Sequence, residues 1–228
     1  MKNPVIYWFR QDLRLEDLPG LNAAAATGSP VLPCYILDDD SPGDWRPGSA
    51  SRWWLHHSLA DLSRRIRELG GELHLLRGVS SECLEQLARD TGATAVYCSR
   101  QYEPWAAQLE QQANHALSAQ GVTMQRYPGC LLFQPEQALN KAGEPYRVFT
   151  PFWRRCQTLE VATPLTTDLA AIDWFSDMPS TERLSDWSLA PKNPDWAADW
   201  PAWWQPGSDG ARARLRDFLE NRLCNYSE

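Results

Sequence analysis

No stretch of this 228-residue chain is apolar for the length that a bilayer span needs. The first residues, MKNPVIYWF, lack the charged start, apolar middle and small-residue cleavage site of a secretory leader. Cysteines are few and scattered: Cys34, Cys83, Cys98, Cys130, Cys156 and Cys224 make no C-x-x-C pair. That argues against the common zinc and dithiol redox patterns and for buried, reduced thiols. A cytoplasmic protein is expected. Basic charge is in deficit too. The net charge is −7 and no basic stripe runs along the sequence, so this chain alone is not expected to grip DNA. No G-x-G-x-x-G follows the first strand-like run, which argues against a standard dinucleotide site. No Ser-His-Asp set or paired carboxylates stand out, and no catalytic residue is assigned. His56 and His57 adjoin on a helix and so do not converge on one metal; no metal is expected.

What remains is an ordinary 43% hydrophobic content, enough for a core, and twelve tryptophans, seven of them at or after Trp153. Two periodicities alternate through the first part of the chain. Val5 to Phe9 is a short apolar run, read as a buried strand. Pro19 opens a helix through LNAAAATG, closed by Gly28. Val31 to Leu37 gives a second strand. In SRWWLHHSLADLSRRIRELGG, Leu55, Leu59, Leu62, Ile66 and Leu69 make one helical stripe. ELHLL, the helix SSECLEQLARDTG, TAVYCS, the helix EPWAAQLEQQANHALSAQG and VTMQRY complete a βαβαβαβαβ series. Right-handed crossovers make this a parallel, doubly wound α/β sheet with helices on both faces.

After about Leu132 the pattern dissolves. Residues 134–206 are rich in proline and tryptophan with little period. Such a long irregular segment is expected to wrap over another surface, with Trp174, Trp187, Trp196, Trp200, Trp203 and Trp204 as anchors. A fresh helix then starts, with Ala211, Leu215, Phe218 and Leu219 on one face.

Four segments in order carry a family likeness: WFRQDLRLED at 8–17, SRWWLHHSLADL at 51–62, YRVFTPFWRRC at 146–156 and WQPGSDGARARLRDFLENRLCNYSE at 204–228. Together they resemble the DNA photolyase and cryptochrome family. The resemblance implies a five-stranded Rossmann-like sheet in the order 3-2-1-4-5 over residues 1–133. It further implies an interdomain linker at 134–206 and, at 207–228, the entry to a helical FAD-binding domain. It implies repair of cyclobutane pyrimidine dimers in UV-damaged DNA by blue light and reduced FAD. The flavin pocket and DNA groove belong to the helical domain; only Tyr226 matches a position near the FAD phosphates. The chain is therefore expected to be a truncated piece, inactive alone, with apolar linker surface that self-associates. A cryptochrome photoreceptor is the alternative. A stand-alone nucleotide-binding module, as in electron-transfer flavoproteins, is a more distant one.

In the family the α/β domain holds an antenna chromophore. Doubly wound sheets bind ligands beyond the carboxyl ends of their strands, at the switch in strand order. The loops there offer Arg10, Gln11 and Asp12; Asp38, Asp39, Asp40, Trp45 and Arg46; and Ser99, Arg100, Gln101, Tyr102 and Glu103. Arg10, Asp38, Arg46, Gln101 and Tyr102 are the candidate chromophore contacts. Equally, Arg10, Asp12 and Arg14 could hold the turn together. Folate-binding members of the family carry an Asn-Glu pair two residues after the Gln-Tyr-Glu triplet that here is Gln101-Tyr102-Glu103, where this chain reads Pro104, Trp105 and Ala106. An indole and a methyl cannot reproduce that pairing, so a deazaflavin or FMN is favoured over folate.

Overall fold

The computed structural model describes residues 2–177 and 181–226. Five parallel strands run β1 Val5–Phe9, β2 Val31–Leu37, β3 His74–Arg77, β4 Ala95–Ser99 and β5 Thr123–Tyr127. Their spatial order is 3-2-1-4-5, as expected. Crossovers are made by α1 Pro19–Ala26, α2 Ser49–Glu68, α3 Ser80–Thr91 and α4 Pro104–Ser118. All five residues of β1 are buried, which is why the central strand reads as an unbroken apolar run. One face, with Tyr7, Phe9 and Val31, packs on Leu59, Leu62 and Ile66 of the α2 stripe. The other, with Ile6, Trp8 and Cys34, packs on Leu84, Leu109 and Leu117 of α3 and α4. No helix among the described residues is long and apolar enough to cross a membrane.

The segment after β5 departs from the expectation of an irregular wrapper. It contains a helix, α5 Phe149–Cys156, and its later part is built into the sheet. Val31 donates to Asp173 O (2.7 Å) and Phe175 donates back to Val31 O (2.9 Å). This fills the place beside β2 that lies ahead of the start of β3, which pairs with β2 only from Cys34 onward. Further on, Glu182 N reaches Leu75 O at 2.9 Å and Leu75 N reaches Thr181 Oγ1 at 2.8 Å. The strap thus covers the outer edge of β3, which would otherwise offer an unpaired ladder. Trp174 and Trp187 are buried in the core as anchors. Trp196, Trp203 and Trp204 are not: all three are exposed. Trp200 instead packs edge-on against Trp53, with ring centroids 5.0 Å apart.

The last helix, α6 Ser208–Asp217, docks on α2 and on the loop between β1 and α1 through charged contacts. Arg64 meets Asp209 at 3.1 Å, Arg212 meets Glu16 at 2.6 Å, and Ser208 N meets Asp61 at 3.2 Å. Leu215 and Leu219, on the face read as apolar, are exposed.

His74 on β3 is fully buried, and neither ring nitrogen has a hydrogen-bond partner among the described residues. Burial lowers its pKa from 6.5, against the opposing pull of Glu72. The unfolded chain therefore takes up a proton that the folded chain refuses, and stability falls as pH drops below 6.5 until the lowered native pKa is reached. His74→Leu is expected to raise stability at pH 6 and remove a slope of up to about 1.4 kcal/mol per pH unit. Urea unfolding of both proteins across the acid range tests this; parallel slopes would sink it.

Candidate functional site

The charged tip of β1 is largely a structural knot. Asp12 is buried and accepts from Tyr7 Oη (3.2 Å), Arg10 N (3.1 Å) and Ser99 Oγ (2.6 Å), which ties the ends of β1 and β4 together. Burial and then the Asp12 charge push the Tyr7 phenol well above its ordinary pKa. Arg14 spans the turn, donating to Glu16 O, Asp17 O and Gly129 O. Arg10 is committed inward. Its guanidinium pairs with Glu110 of α4 at 2.7 Å, the two side chains being 5% and 2% exposed. It also donates to Gln101 Oε1 at 3.0 Å and to Ser99 O, and lies 4.7 Å from the Trp8 ring. The second Glu110 oxygen takes Arg126 at 2.6 Å, and Gln101 N reaches the first at 3.2 Å. Buried charges require such pairing.

Beside this network, where β1, β2 and β4 end, lies a cleft of about 160 Å³. Trp8, Tyr35, Trp45 and Trp105 give it aromatic walls; Gln11, Gln101, Ser80 and the edge of Arg10 supply polar atoms. Two buried donors on its lining residues, Trp8 Nε1 and Arg10 Nε, have no partner among the described residues. Period-2 alternation puts Trp8 and Arg10 on one face of β1, turned to α4.

The candidate contacts divide. Arg10 and Gln101 are brought together at the cleft. Asp38 lines it too, but its carboxylate takes five hydrogen bonds, from Asp40 N, Ser41 N, Ser41 Oγ, Ser80 N and Ser80 Oγ. It holds the β2–α2 loop onto the first turn of α3, where a negative charge also suits the helix dipole. Burial opposes its ionisation, yet the Ser41 and Ser80 donors leave its pKa below the usual value. Arg46 is exposed and does not line the cleft. Tyr102 turns to the opposite side of its loop, where its hydroxyl bonds Gln134 beside Cys130 and Leu131. Tyr226 is exposed, its ring edge-on to Phe218, and is not part of the cleft. Trp8 and Trp105, absent from the sequence-based candidates, are walls. In sequence Trp8 reads as part of the apolar run; its place two residues before Arg10 is the signal that points to it.

A five-stranded parallel sheet in the order 3-2-1-4-5, with an aromatic cleft at its switch point, defines a doubly wound α/β domain. The sequence profile of the DNA photolyase family matches residues 5–170, and the chain belongs to that family as its N-terminal α/β domain. A deoxyribodipyrimidine photo-lyase of Agrobacterium fabrum is 41% identical over 99% of this chain and 46% of its own length. Cryptochrome-2 of Arabidopsis thaliana is 34% identical over 100% of this chain and 38% of its own. The crystal structure of a bacterial class III photolyase from Agrobacterium tumefaciens superposes with a TM-score of 0.89 at 39% identity, covering 96% of this chain and 45% of that one. The chain spans about half the length of the curated relatives it matches or less.

Proposed function

We infer that this chain is the chromophore-binding part of a light-driven deoxyribodipyrimidine photolyase. The observation that carries the reading is the aromatic cleft at the switch point, walled by Trp8, Tyr35, Trp45 and Trp105; two of its lining residues also hold buried donors, Trp8 Nε1 and Arg10 Nε, without a partner among the described residues. A buried donor left unpaired costs about 1–3 kcal/mol, and a bound ring bearing a carbonyl would satisfy it. Indole and phenol walls suit the faces of a planar heterocycle. FMN or a deazaflavin fits this donor set better than folate, because no carboxylate and amide pair stands at Pro104, Trp105 and Ala106. Such a chromophore supplies absorption of blue light and transfer of its excitation to FAD. The residues of this chain bind and orient the ring, exclude water from it and fix its distance from the second half of the protein. Repair of cyclobutane dimers, FAD binding and contact with damaged DNA are assigned to the helical half that the relatives' additional length accommodates. In keeping with its charge of −7, this chain alone is expected to leave duplex DNA unbound at physiological salt.

The experiment is titration of the purified chain with FMN, a deazaflavin and methenyltetrahydrofolate, followed by absorbance. Trp8→Phe keeps the ring and removes the donor, and is expected to weaken FMN binding about tenfold. Equal affinity in the two proteins would remove Trp8 from the site; no binding of any of the three would remove the reading. The cryptochrome alternative is favoured by the whole-chain match to Cryptochrome-2. Light-dependent loss of dimers in an assay of the gene product carrying its flavin-binding half decides between a lyase and a photoreceptor.

A further inference from the structure

The cleft is too small for the ligand class assigned to it. It measures about 160 Å³, whereas pockets that enclose drug-sized ligands run to about 300–1,000 Å³. One of its walls is the segment 39–47 between β2 and α2, and this segment is built differently from the others. At its base it is braced twice. Asp38 is bound to Ser80 of α3, and Arg52 of α2 holds both Asp39 and, at 3.0 Å, Pro47 O. Between the braces every hydrogen bond is internal: Gly43 N to Asp40 O, Trp45 N to Pro42 O and Arg46 N to Gly43 O. Among the described residues, 42–46 make no hydrogen bond or ion pair to the rest of the domain. Gly43 sits at φ +56°, a left-handed turn that any side chain would strain. Trp45, at the apex, lines the cleft and yet is 80% exposed. A large indole held in water at the mouth of an aromatic cleft has an apolar surface to bury and nothing yet to bury it against.

We propose that segment 39–47 is a lid and Trp45 its closing residue. The lid opens about the Asp38–Ser80 and Arg52 braces to admit a planar ring that the cleft cannot otherwise hold, and it closes with the indole stacked on that ring. Trp45 thereby selects for flat aromatic ligands and sets how long they stay. This deepens the chromophore reading and rests on it.

The test is stopped-flow binding of FMN, a deazaflavin and methenyltetrahydrofolate to the full chain. The observed rate is expected to level off as ligand concentration rises, because lid opening becomes limiting. Acrylamide quenching, read as the difference between wild type and Trp45→Phe, is expected to show Trp45 shielded once ligand saturates. Trp45→Ala is expected to raise koff by about 10- to 100-fold. Trp203→Ala, an exposed indole outside the cleft, leaves it unchanged. Arg52→Ala, which frees one brace, raises the plateau rate. Binding with a rate linear in ligand throughout and an unchanged koff in Trp45→Ala overturns the lid and leaves the chromophore reading standing. If none of the three ligands binds, both fall.

Discussion

Replacing Glu110 by alanine is expected to destabilise the domain by about 3–5 kcal/mol. The mechanism is the charge left behind. Arg10 cannot reach water: its side chain is 5% exposed and packed on Trp8. Without Glu110 it keeps only neutral partners, Gln101 Oε1, Ser99 O and Cys98 Sγ. The same carboxylate also receives Gln101 N, so its loss loosens the loop after β4 that forms one wall of the cleft. Urea unfolding followed by circular dichroism gives the number, with an unchanged m-value as evidence that the compactness of both states is retained. A paired control separates charge from packing. Arg10→Met with Glu110→Leu buries no ion and is expected to recover most of the loss, because hydrophobic replacements of buried ion pairs are often neutral. A loss below about 1 kcal/mol for Glu110→Ala, in the range of exposed pairs, would show that water reaches the network.

The second large effect is expected at the strap. Trp174→Ala should cost about 3–5 kcal/mol, the usual range for emptying a large aromatic site. Trp174 is buried, and its ring lies over Gly71: a Cβ placed on that glycine would sit 2.7 Å from Trp174 Cγ. Gly71→Ala is therefore expected to reproduce part of the loss by overpacking, about 1–3 kcal/mol. Loss of the ring also frees the backbone that pairs with Val31 and, beyond it, the residues that pair with Leu75. The uncovered edge of β3 then adds aggregation to instability. Thermal melts with light scattering check both; a variant that melts within a few degrees of wild type would show that the strap is only draped over the core.

Much of the fold is legible in the sequence because parallel strands buried on both faces leave an unmistakable trace. VIYWF and VLPCYIL are apolar almost throughout, and the glycines after each helix mark the turns. β3 is less legible: it begins at His74 and ends at Arg77, because a polar residue may occupy an edge strand that another segment covers. The strap is legible only as a tryptophan-anchored wrapper; its pairing with the sheet is not. Trp174 and Trp187 look no different in sequence from Trp203 and Trp204; only the vacant place beside Val31 distinguishes them. At the site, sequence reasoning located the loops and left open how their side chains are paired. It could see that Arg10, Asp38 and Tyr102 stand near the switch point. It could not see that each is already engaged, by Glu110, by Ser80 and by Gln134. Polar side chains at a strand end satisfy one another first; among the described residues Trp8 Nε1 and Arg10 Nε are the donors left without a partner there.

The closure of β2 by Trp174 also has a kinetic meaning. The bridged residues Val31 and Trp174 lie about 140 positions apart, far beyond any neighbouring crossover, and contacts of such range form late because the loop entropy must be met before the contact gives anything back. Three of the four strand pairings join neighbours in sequence and the fourth, β1 with β4, spans 90 positions (Val5 with Ala95), so the strap is expected to fasten last. Trp174→Ala should then accelerate unfolding while leaving the refolding rate nearly unchanged. The strap is a clasp on the finished domain, governing how long it persists rather than whether it forms.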